Sequence, residues 1–235
     1  MYYDHENTDT GEVVREPDWI ADTFGVDYTH SIVEVFLRDA QVTNVSTLAE
    51  FNRVLQMDLS GTPVSDLTPL TGMNRLELLY LENTQVQDLS PLSGLKNLSW
   101  LYLGGTPVAD VAPLAQVTAM VRLDLTDTRV IDVTPLAGLS DLHELNLSNT
   151  PVCNLSPLSE LKNLAVLYLG STRVDDVEAL AGLVNLQDLD LSNTSVSDAA
   201  VYKPDGLCAR YRRATSPPHL IKSHVPEQIL SRSIR

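Results

Sequence analysis

Apolar residues recur along most of this chain with a fixed period of 22 residues. Within one unit, the pair Leu79-x-Leu81 alternates with period 2, which predicts a short strand whose alternate residues face inward. The apolar positions that follow it fall every three residues and are interrupted by a proline, as at Val86, Leu89, Pro91 and Leu92. This spacing predicts a 3₁₀-like or irregular return segment and argues against a regular α-helix. Because one unit can bury its apolar side only against its neighbours, we expect the strands to stack as a parallel sheet in a solenoid.

The period divides the chain into three parts. Residues 32–200 form about eight coils, the first of which is degenerate and begins near Ile32. Residues 1–31 contain a stretch from Pro17 to Gly25 that predicts a short helix, suited to covering the open first coil. Residues 201–235 show no 22-residue register and predict a basic, mostly disordered tail, with a basic arm for a membrane or a partner as the alternative.

Two polar columns run through the repeats. One threonine per unit precedes the return, and since its hydroxyl can both donate and accept, the column predicts a buried hydrogen-bonding ladder. One aspartate per unit, replaced once by Asn154, predicts a cap on the amides of the following turn; a calcium site of stacked carboxylates is the alternative. The threonines are Thr62, Thr84, Thr106, Thr128, Thr150, Thr172 and Thr194. The aspartates are Asp66, Asp88, Asp110, Asp132, Asp176 and Asp198.

The chain has a net charge of −15, and this charge is distributed unevenly along it. Seven basic residues and two acidic ones follow residue 200, so that part carries +5 and the first 200 residues carry −20. An acidic solenoid argues against nucleic acid as a partner and favours a basic one. The two cysteines, Cys153 and Cys208, have neither a disulfide framework nor zinc spacing, and we expect unpaired thiols, with Cys153 on the surface.

The repeated phrase Asn-Leu-x-x-Leu-x-Leu-x-x-Thr-x-Val-x-Asp-Leu-x-Pro-Leu-x-Gly-Leu resembles the 22-residue bacterial leucine-rich repeat of internalin-type proteins. The resemblance covers about residues 32–200. It implies an α/β solenoid, a leucine-rich-repeat rod with a parallel concave β-sheet and 3₁₀ or irregular convex segments. It further implies that the concave sheet binds a protein.

This sequence departs from that family's pattern in two respects. Threonine replaces the usual asparagine, and there is no secretion signal or wall anchor. We therefore expect a chain that lacks a signal peptide and a membrane span, cytoplasmic by default, with the soluble part of a membrane-tethered protein as the alternative.

The strand residues that flank the buried leucines are predicted to face outward on the concave side. An aromatic patch, defined as Leu78, Tyr80, Trp100 and Tyr102, is predicted to be exposed there. An acidic stretch, defined as Asp124, Asp127, Glu144, Asp188 and Asp190, follows it. The predicted partner-binding residues are Leu78, Tyr80, Trp100, Tyr102, Asp124, Glu144, Tyr168 and Asp190.

These columns predict a non-enzymatic, monomeric protein-interaction module that takes an apolar anchor and basic residues of its partner. Two alternatives remain: the rings stack only to stabilise the sheet, or they form with Glu82 a platform for a sugar ring in a receptor or adhesin. His143 is the one histidine within the regular repeats, and no nucleophile, dinucleotide or phosphate motif accompanies it. No enzyme activity, cofactor or metal is therefore predicted.

Overall fold

The structure is a computed structural model that describes residues 32–196 and 210–212. Nine strands form one parallel sheet in chain order, and each strand pairs with the next one along the sequence. The strands are β1 Glu34–Phe36, β2 Gln56–Asp58, β3 Leu78–Tyr80, β4 Trp100–Tyr102, β5 Arg122–Asp124, β6 Glu144–Asn146, β7 Val166–Tyr168, β8 Asp188–Asp190 and β9 Arg210–Arg212.

The register of the sheet repeats the sequence period. Met57 pairs with Leu79, which pairs with Leu101, so each strand is displaced from the next by one 22-residue unit. The central residue of each strand from β2 to β8 enters a single continuous apolar core, as the alternation predicted. The degenerate first coil is confirmed, since Val35 pairs with Met57 in the expected columns.

Short 3₁₀ segments return the chain on the convex side, which confirms the prediction of tight turns. Proline is the second residue in five of the seven segments that the described residues form, and a missing amide hydrogen is tolerated in this first turn. The segments are Ser46–Glu50, Thr68–Leu70, Ser90–Leu92, Ala112–Gln116, Thr134–Gly138, Ser156–Leu158 and Glu178–Leu180.

The aspartate column caps these segments. The amide of Ala112 donates to Asp110 Oδ1 at 2.8 Å, and the amide of Ser156 donates to Asn154 Oδ1 at 3.0 Å in the unit that lacks the aspartate. Hydrogen bonds from the Thr134 hydroxyl and amide lower the pKa of Asp132 below its ordinary value. The capping prediction is confirmed for residues 66 to 176, and the carboxylates serve the backbone.

The threonine column forms buried hydrogen bonds, but within each coil and not between coils. Thr128 Oγ1 donates to the carbonyl of Leu125 at 2.6 Å, and its amide donates to the same carbonyl at 3.3 Å. All seven threonines repeat the side-chain bond at 2.6 to 2.8 Å. The hydroxyl thus closes the turn that ends its own strand. Contact between coils comes from the strand backbone, from the apolar core and from other side chains, as where Asn97 Nδ2 donates to the carbonyl of Asn74.

The residue just before each threonine lies in the left-handed region of backbone space. Asparagine, aspartate or glycine fills six of these seven positions, which matches the residues that tolerate a positive φ, and Asp39 takes the same conformation before Ala40 in the first coil. Ser171, with φ of 60°, is the exception. A sharp turn therefore recurs once per coil where the strand ends.

Three residues of the segment 201–235, which the sequence analysis assigned to a tail without repeat register, lie in the sheet. Arg210–Arg212 forms β9, and its residues pair with β8 at a spacing of 22 residues. The apolar columns around it are interrupted, which is why the sequence pattern did not show it. The remainder of that segment, and the predicted capping helix between Pro17 and Gly25, lie outside the described residues.

Candidate functional site

The outward columns of β3 and β4 form a second apolar cluster on the opposite face of the sheet from the main core. Leu78, Tyr80 and Tyr102 are 0%, 4% and 2% exposed, and Trp100 packs against them half-buried. The prediction that the aromatic patch is exposed is therefore wrong for three of its four members. Neighbouring strands are about 4.8 Å apart, so large outward side chains on adjacent strands cover one another.

The two tyrosines are stacked across adjacent strands. The ring centroids of Tyr80 and Tyr102 are 4.7 Å apart with an interplanar angle of 16°. Burial raises the pKa of Tyr80 to about 12, and burial also raises the pKa of Tyr102. Both phenols are therefore uncharged over the whole physiological pH range.

Arg122 on β5 joins the aromatic patch to the acidic stretch. Its guanidinium carbon lies 4.5 Å from the Trp100 ring centroid, and Nη1 donates to the Tyr102 hydroxyl at 3.4 Å. Nη2 contacts Glu144 Oε2 on β6 at 2.6 Å. Sequence reasoning did not select Arg122 as a site residue, although its place 22 residues after Trp100 was a usable signal.

Three carboxylates on this face have raised pKa values because burial disfavours their charged forms. They are Glu82, Asp124 and Glu144. Glu82 accepts a hydrogen bond from Ser60 Oγ at 2.6 Å, and Asp124 Oδ1 accepts from the amide and hydroxyl of Thr126 at 2.8 and 2.6 Å. These acids are held in fixed positions on the sheet and only partly hydrated.

Gly104 leaves a notch between two of these acidic strands. A Cβ placed there would lie 3.7 Å from the Thr126 carbonyl oxygen and 3.8 Å from Glu82 Cγ, which is ordinary contact distance. The backbone at Gly104 therefore does not require glycine, and its effect is to open space on the concave face. Gly170 differs, because a Cβ there would approach Ser192 Oγ to 2.9 Å.

The remaining predicted site residues are spread along the sheet. Glu144 and Asp124 lie beside the aromatic patch, whereas Tyr168 and Asp190 lie on β7 and β8 toward the other end. Asp127 is exposed in the turn after β5. The structure thus brings together the central residues from β3 to β6, places Tyr168 on the strand next to β6, and places Asp190 one strand further along the sheet.

The sugar-platform hypothesis relied on open ring faces. Tyr80 and Tyr102 stack on each other, so each ring has one face covered, and Arg122 covers one face of Trp100. The tyrosine rings are also buried, so the platform that the hypothesis needs is not formed by these three rings.

Other chemistry finds little support in the part of the chain that the structure describes. Among residues 32–196 no three His, Cys, Asp or Glu side chains are grouped to hold a metal ion. Cys153 is an exposed free thiol, as expected for a variable surface column. No helix in the described ranges has the length and apolar character that crossing a membrane requires.

Solved structures of bacterial repeat proteins share this fold. Internalin C2 from Listeria monocytogenes is 29% identical with a TM-score of 0.69, and the match covers 72% of this chain and 75% of that one. An internalin, inlF, from the same species is 24% identical with a TM-score of 0.56, and the match covers 73% of this chain and 64% of the inlF chain. A leucine-rich-repeat protein from Leptospira interrogans is 18% identical with a TM-score of 0.56, covering 70% and 56%.

A more distant match extends the same architecture beyond bacteria. The plant peptide hormone receptor RGFR1, solved in complex with RGF2, is 13% identical with a TM-score of 0.58, covering 69% of this chain and 30% of the receptor. No protein-family model and no curated protein matched the sequence. The solenoid and its repeat type are thus shown by structure, and proteins of this fold are in general interaction modules without enzyme activity.

Proposed function

Since the chain is similar in fold and repeat to bacterial internalins, we propose that it binds a protein partner on the concave face of its sheet, centred on β3 to β6. The partner has a basic surface with an apolar anchor. Trp100, Asp124, Glu144 and the notch at Gly104 contact it, while Leu78, Tyr80 and Tyr102 pack against Trp100 and support its ring.

The observation that carries this proposal is the excess of fixed negative charge on the outward strand columns. The outward columns are the first and third residues of each strand and the residue two positions after the strand. Within residues 32–196 these three columns contain seven carboxylates and two arginines, a net charge of −5. Both arginines already contact carboxylates of the same columns, Arg38 with Asp58 at 2.8 Å and Arg122 with Glu144 at 2.6 Å. A basic partner would relieve the repulsion among the remaining acids and would be steered to this face from a distance.

The central residues also have the composition of an interface. Trp100 is half-buried and fixed by Arg122, so little side-chain entropy is lost when a partner covers it. Tryptophan and arginine are enriched among the residues that dominate binding energy, and rigid support from beneath is typical of such positions. Tyr80 and Tyr102 provide that support.

Gly104→Gln tests the proposal without removing any core contact, because a side chain at this position fits but fills the notch. Gly138→Gln is the matched control: it makes the same change on a convex 3₁₀ segment, where a Cβ meets no atom within 4 Å. Wild type and both variants are used as baits in bacterial lysate, with bound proteins identified by mass spectrometry and folding checked by circular dichroism.

The expected result is that a protein bound by wild type and by Gly138→Gln is lost or at least strongly depleted on Gly104→Gln. Proteins retained equally by all three baits would place binding elsewhere on the molecule. If no bait retains a protein above an unrelated solenoid control, the proposal of a protein-binding face is overturned.

A further inference from the structure

The ninth strand places opposite charges at paired positions at the end of the sheet. Asp188 pairs with Arg210, and Asp190 pairs with Arg212, while Leu189 pairs with Tyr211. The acidic-apolar-acidic pattern of β8 is thus matched, position by position, by a basic-apolar-basic pattern. Opposite charges at directly paired positions favour a strand pairing.

The segment that supplies β9 differs in charge from the solenoid it joins. Residues 201–235 carry +5, whereas residues 1–200 carry −20. β9 is three residues long, like the other eight strands of the described ranges, so its length does not set it apart. What distinguishes the register of β8 and β9 is that both outward pairs join an acidic residue with a basic one.

Without β9, the last strand of the described solenoid would be β8, with its backbone groups open along one edge. An open edge is a template for an additional strand from the same chain or from another protein. The outward columns of β8 would then end in Asp188 and Asp190 with no basic position beside them in the sheet. Such an edge fits an extended basic segment.

We propose that Arg210–Arg212 is an internal ligand for the acidic end of the concave face, and that a partner segment with the same basic-apolar-basic pattern competes with it for the edge of β8. This inference rests on the proposed function only in taking the concave face as a partner surface. Its site is β8, four strands away from β4, so the two ideas can fail separately.

The test uses a fluorescein-labelled peptide with the sequence of residues 206–216, in which serine replaces Cys208. Its binding to the full chain is followed by fluorescence polarisation. The R210E/R212E variant removes the internal ligand, and R232E/R235E makes the same change in net charge elsewhere in the basic segment. Because a tethered competitor acts at an effective concentration in the millimolar range, we expect the peptide to bind R210E/R212E about tenfold more tightly than R232E/R235E.

One further variant and one further measurement make the result specific. Adding D188K/D190K to R210E/R212E should abolish the gain, since the acidic positions are then lost. Hydrogen exchange in the peptide spanning residues 186–196 should be faster in R210E/R212E than in R232E/R235E, because the edge of β8 is uncovered.

Equal peptide affinity for R210E/R212E and R232E/R235E would overturn the proposal, as would a gain that survives D188K/D190K. The outcome with Gly104→Gln is independent of both results. If Gly104→Gln retains all bound proteins but the peptide assay gives the expected result, the acidic edge of β8 still accepts a strand, and only the proposed central binding face is overturned.

Discussion

Arg122→Met should destabilise the solenoid measurably while preserving the packing of the arginine's aliphatic stem. The substitution removes the guanidinium over Trp100 and leaves Glu144 without its cation. Removing one partner costs about 0 to 1 kcal/mol for an exposed ion pair and about 3 to 5 kcal/mol for a buried one. The Arg122 and Glu144 side chains are 23% and 10% exposed, between those limits.

We therefore expect a loss of about 2 kcal/mol from the uncompensated carboxylate and about 0.5 to 1 kcal/mol from the cation–π contact. Glu144→Gln removes the charge that the arginine balances, so the double variant should be less destabilised than the sum of the single changes. A coupling free energy of about 1 to 2 kcal/mol is the expected outcome of this cycle.

The sign of the pH dependence follows from the raised pKa of Glu144, which burial causes. A carboxyl group whose folded pKa exceeds its unfolded value opposes folding when it is ionised, and this cost disappears once the group is protonated. Loss of Arg122 removes an influence that lowers this pKa, so the raised value rises further. The destabilisation by Arg122→Met should thus be full at neutral pH and shrink as pH falls toward the unfolded glutamate value of about 4.3.

Urea unfolding followed by circular dichroism, at pH 7 and at pH 4.5, measures both effects for wild type, the two single variants and the double variant. Local exchange of the amides in residues 120–148 shows whether the loss is confined to these coils. If the coupling free energy is zero at pH 7, the ion pair does not stabilise the concave face. If the cost is the same at both pH values, burial of the Glu144 charge is not its cause.

Three further changes test the repeat architecture by urea unfolding. Thr128→Val should cost about 0.5 to 1.5 kcal/mol because it deletes the buried bond to Leu125 while keeping the shape, and no loss would show that the hydroxyl is dispensable. Ser171→Asn should gain up to about 1 kcal/mol since asparagine tolerates the positive φ, whereas Ser171→Val should lose stability; equal effects would refute the strain argument. Asp110→Ala should cost about 1 kcal/mol and Asp110→Asn close to nothing, as Asn154 caps its own turn; similar losses would point to charge and not capping.

The fold could be predicted because its determinants are short-range and repeated. Leu79, Thr84 and Asp88 each act within one coil or on the adjacent one, so a single unit of sequence contains the information for all of them. The strands, the 3₁₀ returns and the degenerate first coil followed directly. β9 was missed because Arg210–Arg212 continues the spacing but not the apolar residues, and the prediction depended on both.

The site was predicted less completely because side-chain contacts across strands depend on rotamers that the pattern does not specify. The alternation of residues along the strands correctly predicted that Tyr80 and Tyr102 lie on the outward face of the sheet. It did not follow that these outward side chains are exposed. In a parallel sheet the large residues of adjacent strands pack on one another, so a tyrosine can face away from the core and still be buried. Arg122 was overlooked for the same reason, since its role lies in three contacts to other strands.

The repeat separates the positions that build the rod from those that differ between coils, and this separation locates function. The leucine, threonine and aspartate columns are nearly uniform along the chain and serve the core, the turns and the caps. The outward strand columns change identity at almost every coil, so the repeat architecture does not require any particular residue there. In these columns an arginine contacts a tryptophan and a glutamate, three carboxylates have raised pKa values, and a glycine that the backbone does not need opens a notch. These features, which the solenoid does not require and which are concentrated on four adjacent strands, are what supports the proposed contact with another protein.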